Sequence, residues 1–240
     1  MGTYVAKLTR REPIAEGTMA FYFERPAGFE FIGGQSMDMT LIDPPQTDAE
    51  GNTRAFSLAS APDEPHLMFA TRLRDTAFKR TLKTLPLGGG VSLAGPFGSM
   101  TLHRKATRPA VMLAGGIGIT PFRSMICQAE HAAAGPDIYL FYSNRRPEDA
   151  AFLPELQRIA GRYPKFSLIA SMTDMGKSRV AWTGETGFIN REMLARHVGN
   201  LAEAVYYIAG PPAMVNAMKD MLEQAGIDEG EINSENFSGY

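Results

Sequence analysis

The sequence predicts two halves of different construction: an antiparallel β-barrel or sandwich, then an α/β unit built on a parallel sheet. Three observations carry this. The first hundred residues read as short strands separated by turn signals, the spacing of an all-β unit. Beyond residue 109, apolar β-rich runs alternate with segments at helical spacing, the pattern of a parallel sheet covered by helices. At the junction, Ala110-Val-Met-Leu-Ala-Gly-Gly-Ile-Gly-Ile-Thr-Pro-Phe-Arg-Ser-Met125 reads as strand, glycine turn and helix.

In chain order, the expected strands of the first half are Tyr4–Arg11, Met19–Arg25, Gln35–Ile42, Arg54–Ala59, His66–Arg72 and Val91–Ala94. Pro26-Ala-Gly28, Gly33-Gly34, Asp43-Pro-Pro45 with Gly51-Asn52, Pro62-Asp63 and Gly88-Gly-Gly90 punctuate them. One helix interrupts around Thr76–Thr84, with Phe78, Leu82 and Leu85 on its apolar side. The polar, basic stretch His103-Arg-Lys-Ala-Thr-Arg-Pro109 reads as the connection between halves, which places the domains at 1–103 and 109–240. The second half offers strands Ala110–Ala114, Ile138–Ser143, Phe166–Met172 and Val205–Ala209, with a closing strand at Glu231–Phe237. Helices are expected at 121–134, 148–161, 190–198 and 212–225.

The junction is the most informative stretch. Gly115, Gly116 and Gly118 let the backbone turn sharply and approach a ligand closely. Thr120 is placed to cap the following helix, and Pro121 suits its first position. Such a turn aims free N–H groups and a positive dipole end at an anion; the plainer alternative is a tight connection without a ligand. The usual dinucleotide fingerprint has a third glycine where this chain has Pro121, so this is a different glycine turn.

Composition bounds the function. With 240 residues, 44% hydrophobic and 21% charged, the chain has the make-up of a soluble globular protein. A net charge of −2 gives no reason to expect nucleic acid or an anionic membrane as partner. No apolar run approaches a membrane span, and the alternating N-terminus lacks a signal-peptide core, so the expected location is cytoplasmic. A lone Cys127, read as a buried thiol, excludes an internal disulfide and a cysteine-ligated iron–sulfur cluster. His66, His103, His131 and His197 show no metal-ligand spacing, so no metal site is expected. Asp48 and Glu50 read as a solvated loop face.

Four motifs in order, Arg54-Ala-Phe-Ser57, Gly95-Pro-Phe-Gly98, Gly115-Gly-Ile-Gly-Ile-Thr-Pro121 and Gly210-Pro-Pro-Ala-Met214, make nearly the whole chain resemble the ferredoxin–NADP reductase family. The resemblance implies an FAD-binding β-barrel over 1–103 and an NAD(P)-binding α/β domain over 109–240. Arg54, Ala55, Phe56 and Ser57 then fall on the family's Arg-x-Tyr-Ser signature. Arg54 would fork onto the flavin pyrophosphate, the Phe56 ring would pack on the flavin, and Ser57 would place its hydroxyl near flavin N5. Leu58 and Ala59 would line the site through their backbone. Gly33-Gly34-Gln35 resembles the family's Pro-Gly-Gln strand start, with Gly33 in place of Pro. Thr76, Ala77 and Lys79 hold the place of a Gly-x-x-Ser that opens the pyrophosphate-facing helix, with Lys79 adding charge. Arg72 and Arg74 either assist or form a solvated basic face.

On the nicotinamide side the resemblance assigns Gly116, Gly118, Thr120, Gly210, Pro211 and Met214, with Ala209 where the family commonly has Cys. Arg145 or Arg146 would pair with a 2′-phosphate, or both are plain loop arginines, so NADH and NADPH both remain open. Family members end on a flavin-covering aromatic with a Glu just before it; Glu235 and Phe237 match that spacing, and Tyr240 is a second candidate. The resemblance thus implies catalytic roles for Ser57, Glu235, Phe237 and Tyr240, with FAD and NAD(P)H as cofactors. The implied activity is a reductase that takes a hydride from NADH or NADPH and passes electrons to a separate ferredoxin, flavodoxin, oxygenase component or small molecule. The alternative is a regulatory module of the same fold that binds nucleotide without redox turnover.

Overall fold

The computed structural model describes residues 2–237. Its first half is a six-stranded antiparallel sheet in the order β4-β3-β6-β1-β2-β5. The strands are β1 (Gly2–Ala15), β2 (Thr18–Glu24), β3 (Ser36–Leu41), β4 (Thr53–Ser57), β5 (His66–Arg72) and β6 (Gly90–Phe97). The curling comes from β1, which changes partners midway: Gly2–Lys7 pair with β6 and Leu8–Ala15 with β2. The sheet's two ends meet just beyond β4, where the Ala59 N–H donates to the Met68 carbonyl at 2.8 Å. The barrel interior is aromatic, with Phe21, Phe23, Phe29, Phe56 and Phe69 buried together. Helix α1 (Ala77–Thr84) closes it by adding Phe78 and Leu82 to that cluster.

The second half is an all-parallel sheet, order β10-β9-β8-β7-β11-β12. Its strands are β7 (Ala110–Gly115), β8 (Ile138–Asn144), β9 (Phe166–Met172), β10 (Glu185–Thr186), β11 (Val205–Gly210) and β12 (Ile232–Asn236). Every residue of β7 and β11 is buried, as strands covered on both faces must be. Period-two alternation divides β7: Ala110, Met112 and Ala114 join the cluster under α2 (Ile119–Ala132) and α3 (Leu153–Ala160), while Val111 and Leu113 join that under α4 (Arg191–His197) and α5 (Pro212–Gln224).

Two expectations shift. Helix α3 starts at Leu153 rather than 148, because Pro147–Asp149 forms a single 3-10 turn and Phe152 sits at φ +60°, which breaks the helical path. The two-residue β10 has no sequence periodicity and was not expected.

The halves are joined by packing. Ala20, Ala59, Ala61, Met68, Ala70 and Met100 from the first half share one buried cluster with α2. Helix α2 also carries the polar ties. Arg123 donates to the Ala59 carbonyl at 2.7 Å and to both Glu64 and Glu155, and Ser124 Oγ donates to the Ser60 carbonyl at 2.5 Å. Burial alone would lower the Arg123 pKa, but the bonds to Glu155 and Glu64 outweigh it and hold the group above its ordinary value. Cys127, on the same helix, is buried, and burial pushes its thiol up to about 12. No helix among the described residues is long and apolar enough to cross a membrane. Among those residues no group of three or more His, Cys, Asp or Glu is placed to hold a metal ion.

Candidate functional site

Two cavities meet where the barrel faces the carboxyl ends of the parallel strands. The first, about 810 Å³, is lined by Ser36, Glu50, Thr53 to Ser57, Arg74, Thr76, Lys79 and Glu235 to Phe237. The second, about 680 Å³, opens over the ends of β7, β8 and β9 and the start of α5. Arg74 and Phe237 line both. Strand β12 sets Phe237 there: it runs parallel to β11, and the Phe237 N–H donates to the Gly210 carbonyl at 2.9 Å. Tyr240, the other aromatic candidate, lies outside the described residues.

In the first cavity Arg54 leaves β4 with its guanidinium pointed at the loop before it. It donates to the Glu50, Gly51 and Thr53 carbonyls and to the Asp48 and Glu50 carboxylates. Asp48 and Glu50 are exposed, as expected of a solvated loop face, and in addition both pair with Arg54. Asp48 also accepts the Ala77 N–H at 3.0 Å, so Ala77 contributes its backbone to that carboxylate. Thr76 is the N-cap of α1, its hydroxyl accepting from the Lys79 N–H at 3.3 Å. Lys79 is 8% exposed, and burial, then Arg74 and Arg54, lowers its pKa to about 8. Ser57 is buried on the cavity wall.

Phe56 corrects an expectation. Rather than offering a face to a flavin, its ring is 4% exposed and packs in the barrel, tilted on Phe78 at 5.8 Å and edge-on to Phe69 at 6.2 Å. Phe56 and Ser57 are both buried, so the alternation of β4 breaks there, and Phe56 still lines the cavity.

Burial raises the pKa of Glu235, so the folded protein holds its proton more tightly than the unfolded chain does. The stability this gives is complete below the ordinary glutamate range and is lost as pH rises through the raised folded value. Glu235→Gln keeps the neutral shape at every pH. Thermal melts of the two proteins should coincide in acid, and the variant should melt higher near neutrality; parallel curves at all pH values would contradict this.

In the second cavity the glycines divide by role. Gly116 has φ +54° and a Cβ there would meet nothing within 4 Å, so its backbone faces open space. Gly118 does not face the cavity: a Cβ would lie 2.2 Å from the Ala209 carbonyl oxygen. Gly210 packs on Gly115 in the same way, a Cβ falling 3.1 Å from its Cα. Thr120 is also corrected. It is buried inside α2, caps no N–H, and donates instead to the Ile117 carbonyl at 3.1 Å; the helix starts at Ile119 behind Gly118. Arg146 is held away by paired bonds to Asp149 at 2.9 and 3.0 Å. Arg145 is exposed and lines the cavity, with Pro211 and Met214 opposite.

The sequence reading missed Asn144, Thr173, Phe188 and Asn190, which are among the residues lining this cavity. The Asn144 side-chain amide is buried yet makes no hydrogen bond among the described residues; the neighbouring Tyr142 hydroxyl donates to the Ala151 carbonyl at 3.1 Å. The available signal was position, since Asn144 ends a buried parallel strand, where ligands of such sheets bind.

Residues 112–220 match the oxidoreductase NAD-binding domain family. The chain is 29% identical over 223 residues to a glycine betaine monooxygenase reductase subunit of Chromohalobacter salexigens, covering 92% of this chain and 60% of that protein. It is 26% identical over 239 residues to the propane 2-monooxygenase reductase component of Rhodococcus jostii, covering 97% and 63%. The chain thus spans under two thirds of the length of these curated relatives. Among solved structures it superposes on a ferredoxin NADP+ reductase from Neisseria gonorrhoeae with bound FAD and NADP, at TM-score 0.79 and 21% identity over 98% of each chain. A ferredoxin reductase in carbazole 1,9a-dioxygenase gives 0.80 and 22%, over 98% of this chain and 69% of that one.

Proposed function

We infer, from a chain that has the fold of ferredoxin–NADP reductases and carries an oxidoreductase NAD-binding domain, that it is an FAD-dependent NAD(P)H reductase serving a separate electron acceptor. The observation that carries this reading is the pair of cavities that share Arg74 and Phe237 as walls, one cation-rich and one over the glycine turn. The residues present fit both ligands. Arg54, Arg74 and Lys79 with the start of α1 supply positive charge for a pyrophosphate, and Gly116 leaves a cradle that any side chain would fill.

Bound there, FAD would take a hydride from NAD(P)H and release electrons to the acceptor. The chain's own residues bind, orient and shield. Arg54, Thr76 and Lys79 hold the dinucleotide end of the first cavity, and Ser57 offers a hydroxyl on its wall. Phe237 keeps water out of the shared boundary until nicotinamide displaces it. Glu235, holding its proton to a raised pH, is a proton reservoir beside that boundary. Gly116, Asn144, Arg145, Pro211 and Met214 receive the nicotinamide dinucleotide, with Arg145 rather than Arg146 available to a 2′-phosphate. Gly118, Thr120 and Gly210 act behind the surface by fixing the turn against β11. The acceptor class that fits the relatives is an oxygenase component or a ferredoxin; flavodoxin and small molecules are outcomes of the same assay. The division at 1–103 and 109–240 and a cytoplasmic location belong to this reading.

The test is the visible spectrum of the purified protein supplied with FAD, followed by anaerobic NADH and NADPH in parallel. A bound-flavin spectrum bleached by one nucleotide supports the reductase and identifies its donor. A flavin spectrum that neither bleaches would favour the nucleotide-binding module, and failure to bind FAD would overturn the assignment.

A further inference from the structure

Two of the groups that the proposed function assigns to the FAD pyrophosphate, Arg54 and the start of α1, already hold anions of the chain itself. Between β3 and β4, the loop of residues 43–52 brings Glu50 to the wall of the first cavity. Asp48 Oδ2 accepts the Ala77 N–H at 3.0 Å, occupying the start of α1, and its Oδ1 accepts from Arg54 at 3.4 Å. Glu50 Oε2 accepts from the same guanidinium nitrogen at 2.8 Å. The other terminal guanidinium nitrogen donates to the Glu50, Gly51 and Thr53 carbonyls. Gln46 anchors the loop from the far side, accepting from Arg80 of α1 at 2.9 Å.

Two carboxylates on one arginine and one helix start match the double negative charge of a diphosphate and use the donors it would need. We propose that the 43–52 loop is an internal competitor of the flavin pyrophosphate, Asp48 and Glu50 holding its site until FAD displaces them. This rests on the reading of that cavity as the FAD site. The contact keeps Arg54 and the α1 start ordered without cofactor, and it subtracts its own strength from FAD affinity. The expected consequence is an exchangeable rather than a locked flavin.

Calorimetric titration of the full chain with FAD tests this, using Asp48→Asn/Glu50→Gln beside wild type. Asparagine still accepts the Ala77 N–H, so the variant keeps the loop while losing its charges. FAD should bind roughly five- to tenfold more tightly to the variant, the size expected for losing one helix-start and one ion-pair competitor. Riboflavin, which has no phosphate, should bind both proteins equally. The ligand-free variant should also melt a few degrees lower, the opposite sign to its gain in affinity. Unchanged or weaker FAD binding, or an equal gain for riboflavin, overturns the proposal. Arg54→Ala separates the two readings: it should weaken FAD binding whatever the loop does. If FAD binds neither wild type nor variant, or ignores the loss of Arg54, the FAD site itself is wrong and the competitor falls with it.

Discussion

Replacing Arg123 by alanine is expected to lower stability by about 3–5 kcal/mol, the largest effect of any single polar substitution in this chain. The guanidinium is 7% exposed and meets five acceptor oxygens on three residues: the Ala59 carbonyl, both oxygens of Glu64 and, on α3, both oxygens of Glu155. It also lies 5.3 Å from the Phe152 ring, beside the left-handed turn that opens α3. Removing it does more than delete bonds. Glu64 and Glu155 are left facing one another, about one quarter exposed each, with no cation between them. At roughly 2–4 °C per kcal/mol for a chain of this size, the melting temperature should fall by about 10 °C. Arg123→Met, which keeps much of the packing, should recover only part of the loss. A variant that melts within 2 °C of wild type would show that the apolar cluster alone joins the halves.

The second large effect is expected at Gly118→Ala. The backbone there is ordinary (φ −59°), so alanine meets no conformational penalty. The obstacle is space: the new Cβ would lie 2.2 Å from the Ala209 carbonyl oxygen, 2.5 Å from its carbon and 2.7 Å from the Gly210 nitrogen. All three are backbone atoms of a buried central strand, and none can rotate away. Pushing β11 from the glycine turn should cost about 3 kcal/mol and weaken dinucleotide binding together with stability. Gly116→Ala is the contrast, two residues away. It carries a left-handed φ, worth about 1–2 kcal/mol, but its Cβ enters open space, so nucleotide affinity should fall much more than stability. Melting curves and nucleotide titrations on both variants distinguish a glycine needed by the fold from one needed by the ligand. Equal profiles would remove that distinction.

Most elements were legible because they are driven by local pattern. The fully apolar β7 and β11, the amphipathic α1 and the turn residues between the barrel strands each declare themselves within a dozen residues. What was not legible depends on partners distant in sequence. Asp48 looks like a loop carboxylate until α1 brings the Ala77 N–H to it from 29 positions away. Phe56 looks like a cofactor-stacking ring until Phe69 and Phe78 enclose it. Thr120 has the composition of a cap, but the 3-10 turn Gly116–Gly118 moves the helix start ahead of it. Arg145 and Arg146 are equivalent in sequence, and only the Asp149 carboxylate decides which one is tied down.

The cluster shared by the barrel and α2 also sets where this protein can be recombined. A crossover placed in the polar stretch 103–109 looks neutral, yet it would pair the small residues Ala20, Ala59, Ala61 and Ala70 with a foreign helix. Those alanines admit the bulk of Phe122 and Met125, and a parent lacking that size match would leave voids or clashes across the seam. Functional chimaeras would therefore need to inherit α2 together with the barrel surface it rests on, so the unit of exchange cuts across the two sheets rather than between them.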